Sequence, residues 1–110
     1  MDLFTRRLAS PALPAVDVAT AHARGPGVVL LDVREPDEWA GGHAPGALHQ
    51  PLSRFDPSRL PAATSVYVIC RSGNRSAHAT RALIDAGVDA RNVTGGMRAW
   101  VGSGLPVEQG

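Results

Sequence analysis

The sequence predicts an α/β domain with a mostly parallel central sheet covered by helices on both faces. Three observations carry that expectation. Residues 28–33, Val-Val-Leu-Leu-Asp-Val, form a continuous apolar run of strand length and β-branched character. Residues 66–70, Val-Tyr-Val-Ile-Cys, form a second such run. Between and after them the apolar spacing changes to a helical period, so that strands and helices alternate through one short chain.

The elements follow in order. Residues 1–12 read as a tail or leading turn, and residues 13–110 as the folded domain. Asp17 is placed to cap a helix over 18–24, which Gly25-Pro26-Gly27 stops. The first strand follows at 28–33. Pro36 suits the first turn of a short helix through Trp39, ended by Gly41-Gly42. Residues 47–50 offer a short strand and 53–60 a polar helical turn. The strand at 66–70 leads through a polar loop into a helix over 76–86, closed by Gly87. On that helix Ala79, Thr80, Leu83 and Ile84, with Val88 beyond it, recur at the spacing expected of a sheet-facing stripe. Residues 92–94 supply a last strand before Gly95-Gly96 and a final turn carrying Trp100.

With 110 residues and a 44% apolar fraction, the chain is long enough to bury a core as one domain. A formal charge of +1 gives no overall field for nucleic acid or an anionic membrane. All eleven basic residues are arginine, so an anion site here would use guanidinium groups. The single cysteine excludes an internal disulfide and a Cys-rich zinc site. The four histidines have no ligand spacing, so neither metal nor cofactor is expected. No segment has a signal-peptide core or the roughly 20 apolar residues of a membrane span. A monomer in a reducing cytoplasm, where Cys70 stays a free thiol, is the expectation.

The chemistry centres on the loop after the second strand, Cys70-Arg71-Ser72-Gly73-Asn74-Arg75, leading into Ser76. In parallel α/β sheets ligands bind at the carboxyl ends of strands, which is where Cys70 stands. Gly73 permits positive φ, letting the loop curl and turn its N–H groups toward one point. The following helix adds its positive end, and Arg71 and Arg75 bracket the loop with charge. Such surroundings favour a thiolate over a thiol whose free pKa is about 8.5. Cys70 is therefore expected to be accessible and ionised near neutrality. A small buried cysteine or a phosphate-binding loop without chemistry is the competing reading of these residues.

Leu31-Asp32-Val33-Arg34-Glu35-Pro36-Asp37-Glu38-Trp39 and Gly42-His43-Ala44-Pro45-Gly46-Ala47 resemble the front half of a rhodanese domain. Cys70 to Ser76 resembles its active-site loop. Gly95-Gly96-Met97-Arg98-Ala99-Trp100 and Gly104-Leu105-Pro106-Val107 resemble its closing segment. The blocks occur in family order over residues 14–109. The resemblance implies a five-stranded parallel sheet flanked by helices and the activity of a single-domain thiosulfate sulfurtransferase. It makes Cys70 the nucleophile that carries sulfur as a persulfide, with Arg71, Ser72, Gly73, Asn74 and Arg75 as the substrate cradle. Asp32 and Arg34 match positions that brace the loop or the fold. The implied partners are a small anionic sulfur donor and a cyanide or thiol acceptor, with a protein sulfur donor or acceptor as a further candidate.

Other residues read as structural: His43 as a hydrogen-bonded turn residue, His78 as exposed, Trp39 and Trp100 as packing. Arg81 and Asp85 read as a solvated i,i+4 pair. Two other functions remain open. A persulfide-relay or binding module would keep the same thiol and loop. A phosphatase or arsenate reductase would use a larger loop, with arginine sixth after the cysteine. Here the sixth residue is Ser76 and Arg75 is fifth.

Overall fold

The computed structural model describes residues 12–110, so the leading tail expected over 1–12 lies, except for Ala12, outside the described residues. Five strands form one sheet in the order β1-β5-β4-β2-β3, with every pairing parallel. They are β1 (Ala15–Val16), β2 (Val28–Asp32), β3 (Leu48–His49), β4 (Ser65–Ile69) and β5 (Ala90–Val93). Helices α1 (Val18–His22), α2 (Pro36–Ala40), α3 (Asn74–Asp85) and α4 (Gly96–Gly102) connect and cover them. The α/β class and the five-stranded parallel sheet agree with the sequence.

Strand periodicity divides the apolar residues between two cores. Leu30 and Ile69 turn to one face, where they meet Val18 and Ala21 of α1 and Met97 and Trp100 of α4. Leu31, Val66 and Val68 turn to the other, against Ala79 and Leu83 of α3. Cys70 has the parity of Val66 and Val68 and joins this second cluster. Asp32 pairs with Ile69 in the β2–β4 ladder, which brings the carboxyl ends of the two central strands together beneath the Cys70 loop.

Asp17 caps α1 as expected, its Oδ1 accepting from Thr20 N at 2.8 Å. Other elements depart from the sequence reading for local reasons. β1 has only two residues, too few for a period, and its pairing to β5 is entirely long-range. Residues 53–60 form no single helical turn. Two 3₁₀ turns, Leu52–Arg54 and Pro57–Arg59, lie there, the second capped by Asp56. Helix α3 starts at Asn74 rather than Ser76, because Gly73 at φ 107° takes the N-cap position. Ile84 is 38% exposed rather than sheet-facing, since the buried stripe narrows to Ser76, Ala79, Thr80 and Leu83. Arg81 and Asp85 are both exposed, and among the described residues no ion pair joins them. The final turn is a seven-residue helix around a fully buried Trp100, whose Nε1 donates to Pro106 O at 2.8 Å.

Candidate active site

Cys70 is the first residue beyond β4, and its chain turns back on itself within three residues. The left-handed conformation of Gly73 points its amide at the sulfur, and Gly73 N donates to Cys70 Sγ at 3.1 Å. Any other residue would be strained at this φ. One turn later Ser76 brings its Oγ to 3.2 Å from the same sulfur. Asn92, near the end of β5, accepts from Ser76 Oγ through Oδ1 at 2.6 Å and donates from Nδ2 to Gly73 O at 3.1 Å.

The outer side of the loop is held by α4. Met97 N donates to Cys70 O at 2.8 Å and Arg98 N to Arg71 O at 3.0 Å. The loop's own carbonyls are thus turned away from the sulfur and its amides toward it. Burial alone pushes the Cys70 thiol up. The Ser76 hydroxyl and the amides of Ser76, Gly73 and Ser72 outweigh that effect and bring it below the ordinary thiol value. The sulfur site favours an anion, as a nucleophile or a sulfur carrier requires.

Two features of the expected electrostatics are corrected. Cys70 is only 1% exposed, because the curled loop and α3 close over it, so the thiol is not freely accessible. The two arginines also differ. Arg71 is exposed, whereas Arg75 is clasped by Glu38 of α2, with Nη1–Oε1 at 2.6 Å and Nη2–Oε2 at 2.8 Å. The pair holds the Glu38 carboxyl down at about 2 and raises Arg75 above its ordinary value. Amides and a hydroxyl, rather than two free guanidinium groups, lower the Cys70 thiol. Of the remaining loop residues, Ser72 and Asn74 are exposed and Gly73 is buried.

Asp32 and Arg34 form a buried bidentate pair, with Arg34 Nη2 and Nε within 2.8–3.1 Å of the carboxylate. Arg34 also donates to Gly42 O at 2.8 Å and Glu38 O at 3.3 Å. The pair therefore braces α2 and the turn after it, and Glu38 links it to Arg75 of the cysteine loop. A cavity of about 290 Å³ opens beside the loop, lined by Arg34, Glu38, Gly42, Arg71, Met97 and Val101 among others. His43 is a hydrogen-bonded turn residue, its Nδ1 at 3.0 Å from Trp39 O, and its ring stacks on Trp39 at 3.6 Å. His78 is exposed on α3.

The sequence reading missed Glu38, Asn92 and the part played by the Ser76 side chain. Spacing within the loop marks Ser76 as one helical turn from Gly73. Nothing local in the sequence marks Glu38 or Asn92, which come from other strand–helix units.

The Glu38–Arg75 clasp has a testable acid signature. Its folded carboxyl is depressed, so its stabilisation is full above the ordinary carboxylate pKa near 4.5 and is lost as pH falls toward about 2. Both side chains are partly exposed, at 35% and 25%, which limits the effect. Glu38→Gln should cost about 0.5 kcal/mol at neutral pH. Relative to the parent it should cost progressively less from pH 4.5 downward. Urea midpoints of both proteins at neutral and acid pH check this, and a pH-independent difference would contradict it.

Residues 15–103 match the model of the rhodanese-like domain. An uncharacterized protein of Synechocystis sp. is 45% identical over 82 residues, covering 72% of this chain and 46% of that protein. A sulfurtransferase of Allochromatium vinosum is 39% identical over 83 residues, covering 73% of this chain and 78% of its own. The chain thus spans under half the length of the first relative and more than three quarters of the second. The crystal structure of a rhodanese-related protein from Thermoplasma volcanium superposes with a TM-score of 0.81 at 31% identity. That alignment covers 88% of this chain and 99% of that one.

Proposed function

The chain belongs to the rhodanese-like domain family, and from that premise we propose that it is a sulfurtransferase in which Cys70 carries sulfane sulfur as a persulfide. The observation that carries the reading is the convergence of Gly73 N and Ser76 Oγ on a buried sulfur at 3.1 and 3.2 Å. In the first half-reaction the Cys70 thiolate attacks the outer sulfur of thiosulfate. An Sγ–S bond forms, the donor S–S bond breaks, and sulfite leaves with the electron pair. A small persulfide donor would lose a thiolate instead. In the second half-reaction cyanide or an acceptor thiol attacks the terminal sulfur, and Cys70 leaves as the thiolate. Solvent can take the thiol proton without a dedicated general base, because the Ser76 hydroxyl and the loop amides outweigh burial and favour the thiolate.

Residues 71–75 are assigned the substrate cradle: Arg71 as the open cation, Ser72, Gly73 and Asn74 through the loop backbone, and Arg75 through its clasp with Glu38. We place the protein in the cytoplasm as a monomer. Among the described residues no helix is long and apolar enough to cross a membrane.

Mass spectrometry after thiosulfate, and separately after a small organic persulfide, tests the assignment. One added sulfur on the Cys70 peptide, removed by cyanide, is expected. No added sulfur from either donor would reject it. Phosphate-ester hydrolysis is expected to be absent, since Arg75 is committed to Glu38.

A relay with a protein partner is the second reading, and one observation favours it. Exposed Arg71 and Arg98 flank Val101, which is 59% exposed, beside the same loop. A partner with an acidic, partly apolar surface would fit there. Trapping of mixed disulfides on Cys70 distinguishes a relay from a free enzyme.

A further inference from the structure

The Ser76 hydroxyl sits between two acceptors and has a single hydrogen. Its Oγ is 2.6 Å from Asn92 Oδ1 and 3.2 Å from Cys70 Sγ. The orientation of the Asn92 amide is fixed independently, because its Nδ2 must face the Gly73 carbonyl at 3.1 Å. Oδ1 is therefore the atom turned to Ser76, and it can only accept. The hydroxyl hydrogen must choose between asparagine and sulfur.

We propose that Asn92 is a positioning residue for the Cys70 sulfur, setting the resting place of the Ser76 hydroxyl hydrogen so that it transfers its hydrogen bond to the sulfur only when the sulfur is anionic. The inference rests on the reading of Cys70 as the sulfur carrier. While Cys70 is a thiol, its S–H donates to Ser76 Oγ and Ser76 O–H donates to Asn92 Oδ1. When the thiol gives its proton to a solvent base, the hydroxyl rotates and donates to Sγ. Nothing else changes hands. In the persulfide the charge moves to the terminal sulfur, Sγ becomes neutral, and the hydroxyl returns to Asn92. The burial of Ser76, at 0% exposure, keeps water from replacing either acceptor.

The charged groups on the surrounding elements are otherwise accounted for. Arg75 of α3 is clasped by Glu38 of α2, Asp32 of β2 is paired with Arg34, and Arg91 of β5 lies 3.5 Å from Asp89. Arg71 in the loop and Arg98 on α4 are exposed. None of them competes for the hydroxyl hydrogen.

Asparagine as a competing acceptor makes two substitutions move in opposite directions. Asn92→Asp offers a stronger acceptor, holds the hydrogen away from sulfur and places a negative charge nearby. Its thiol midpoint should rise by about one unit, leaving about tenfold less thiolate near neutrality. Asn92→Ala removes the competitor. The Gly73 carbonyl keeps a partner, since Ala77 N also donates to it at 3.2 Å. That midpoint should fall below the parental value. Ser76→Ala removes the donor, and its midpoint should rise.

Thiolate ultraviolet absorbance, followed against pH in the four proteins, reads the midpoint without needing reagent access to a buried sulfur. A raised or unmoved midpoint in Asn92→Ala would overturn the proposal, because Asn92 would then do no more than hold the loop. An unmoved midpoint in a folded Asn92→Asp would overturn it equally. Should the aspartate variant fail to fold by circular dichroism, the alanine variant still decides by its sign. Sulfur loading of the parent is measured separately. A parent that takes up no sulfur would reject the sulfurtransferase reading while the midpoints still judge Asn92.

Discussion

Cys70→Ser is expected to leave a folded protein that takes up no sulfur. Serine differs from cysteine by one atom and retains an acceptor for the Gly73 amide that now meets Sγ at 3.1 Å. The site is buried and small, so the substitution removes little packing. What disappears is the nucleophile, because a serine hydroxyl stays protonated where the amides and Ser76 hold a thiol below its ordinary value. Loading from thiosulfate or a persulfide should fall by roughly a thousandfold or more, to the uncatalysed background. Stopped-time mass analysis of sulfur uptake and circular dichroism of both proteins provide the check. Substantial turnover in the folded serine variant would remove Cys70 from the mechanism.

The second large effect is expected at Gly96, far from the cysteine in sequence and pressed against it in space. Its φ is 55°, and a Cβ there would lie 2.5 Å from both the Cys70 and Arg71 carbonyl oxygens. Those oxygens are the acceptors for Met97 N and Arg98 N, so relief requires the loop to leave α4. Gly96→Ala should cost about 3 kcal/mol, from left-handed strain together with overpacking against backbone. Gly96→Val should cost more. The thiol midpoint should also rise, because the amides that face the sulfur depend on carbonyls facing α4. Urea midpoints and thiolate titration measure the two consequences separately. A Gly96→Ala protein that unfolds at the parental midpoint would show that the loop is free to move away.

Much of the fold is legible in the sequence because its determinants are local. The two apolar runs in β2 and β4 are each long enough to be read as buried strands. The Leu83 stripe has a helical period, and Cys70 stands where a strand gives way to a Gly-bearing loop. The resemblance of three ordered blocks to rhodanese domains anticipates the all-parallel, five-stranded sheet. β1 escapes such a reading because two residues carry no period and its partner lies 77 residues away in the ladder, Ala15 against Asn92. The helix start at Asn74 is hidden because glycine, rather than a polar side chain, occupies the N-cap. At the site, the sulfur's partners on the loop can be counted from Cys70, whereas Glu38 and Asn92 arrive from the units on either side of β4. Their roles follow from β2–β4–β5 pairing, which no window of sequence contains. Arg75 shows the same limit: its charge is evident in the sequence, and its commitment to Glu38 is not.

The docking of α4 on the cysteine loop also bears on the order in which the chain is made. Cys70 is synthesised before β5 and before Gly96 and Met97, which fix the backbone around it. A nascent chain displaying β2, β4 and α3 alone lacks the central neighbour of β4 on one side and the donors to the Cys70 and Arg71 carbonyls. It still carries the Ser76 hydroxyl and the Ser72, Gly73 and Ser76 amides that lower the thiol, but not the α4 amides that hold the loop carbonyls away from the sulfur. The full set of contacts around this sulfur is thus complete only once β5, with Asn92, and α4 have joined the sheet.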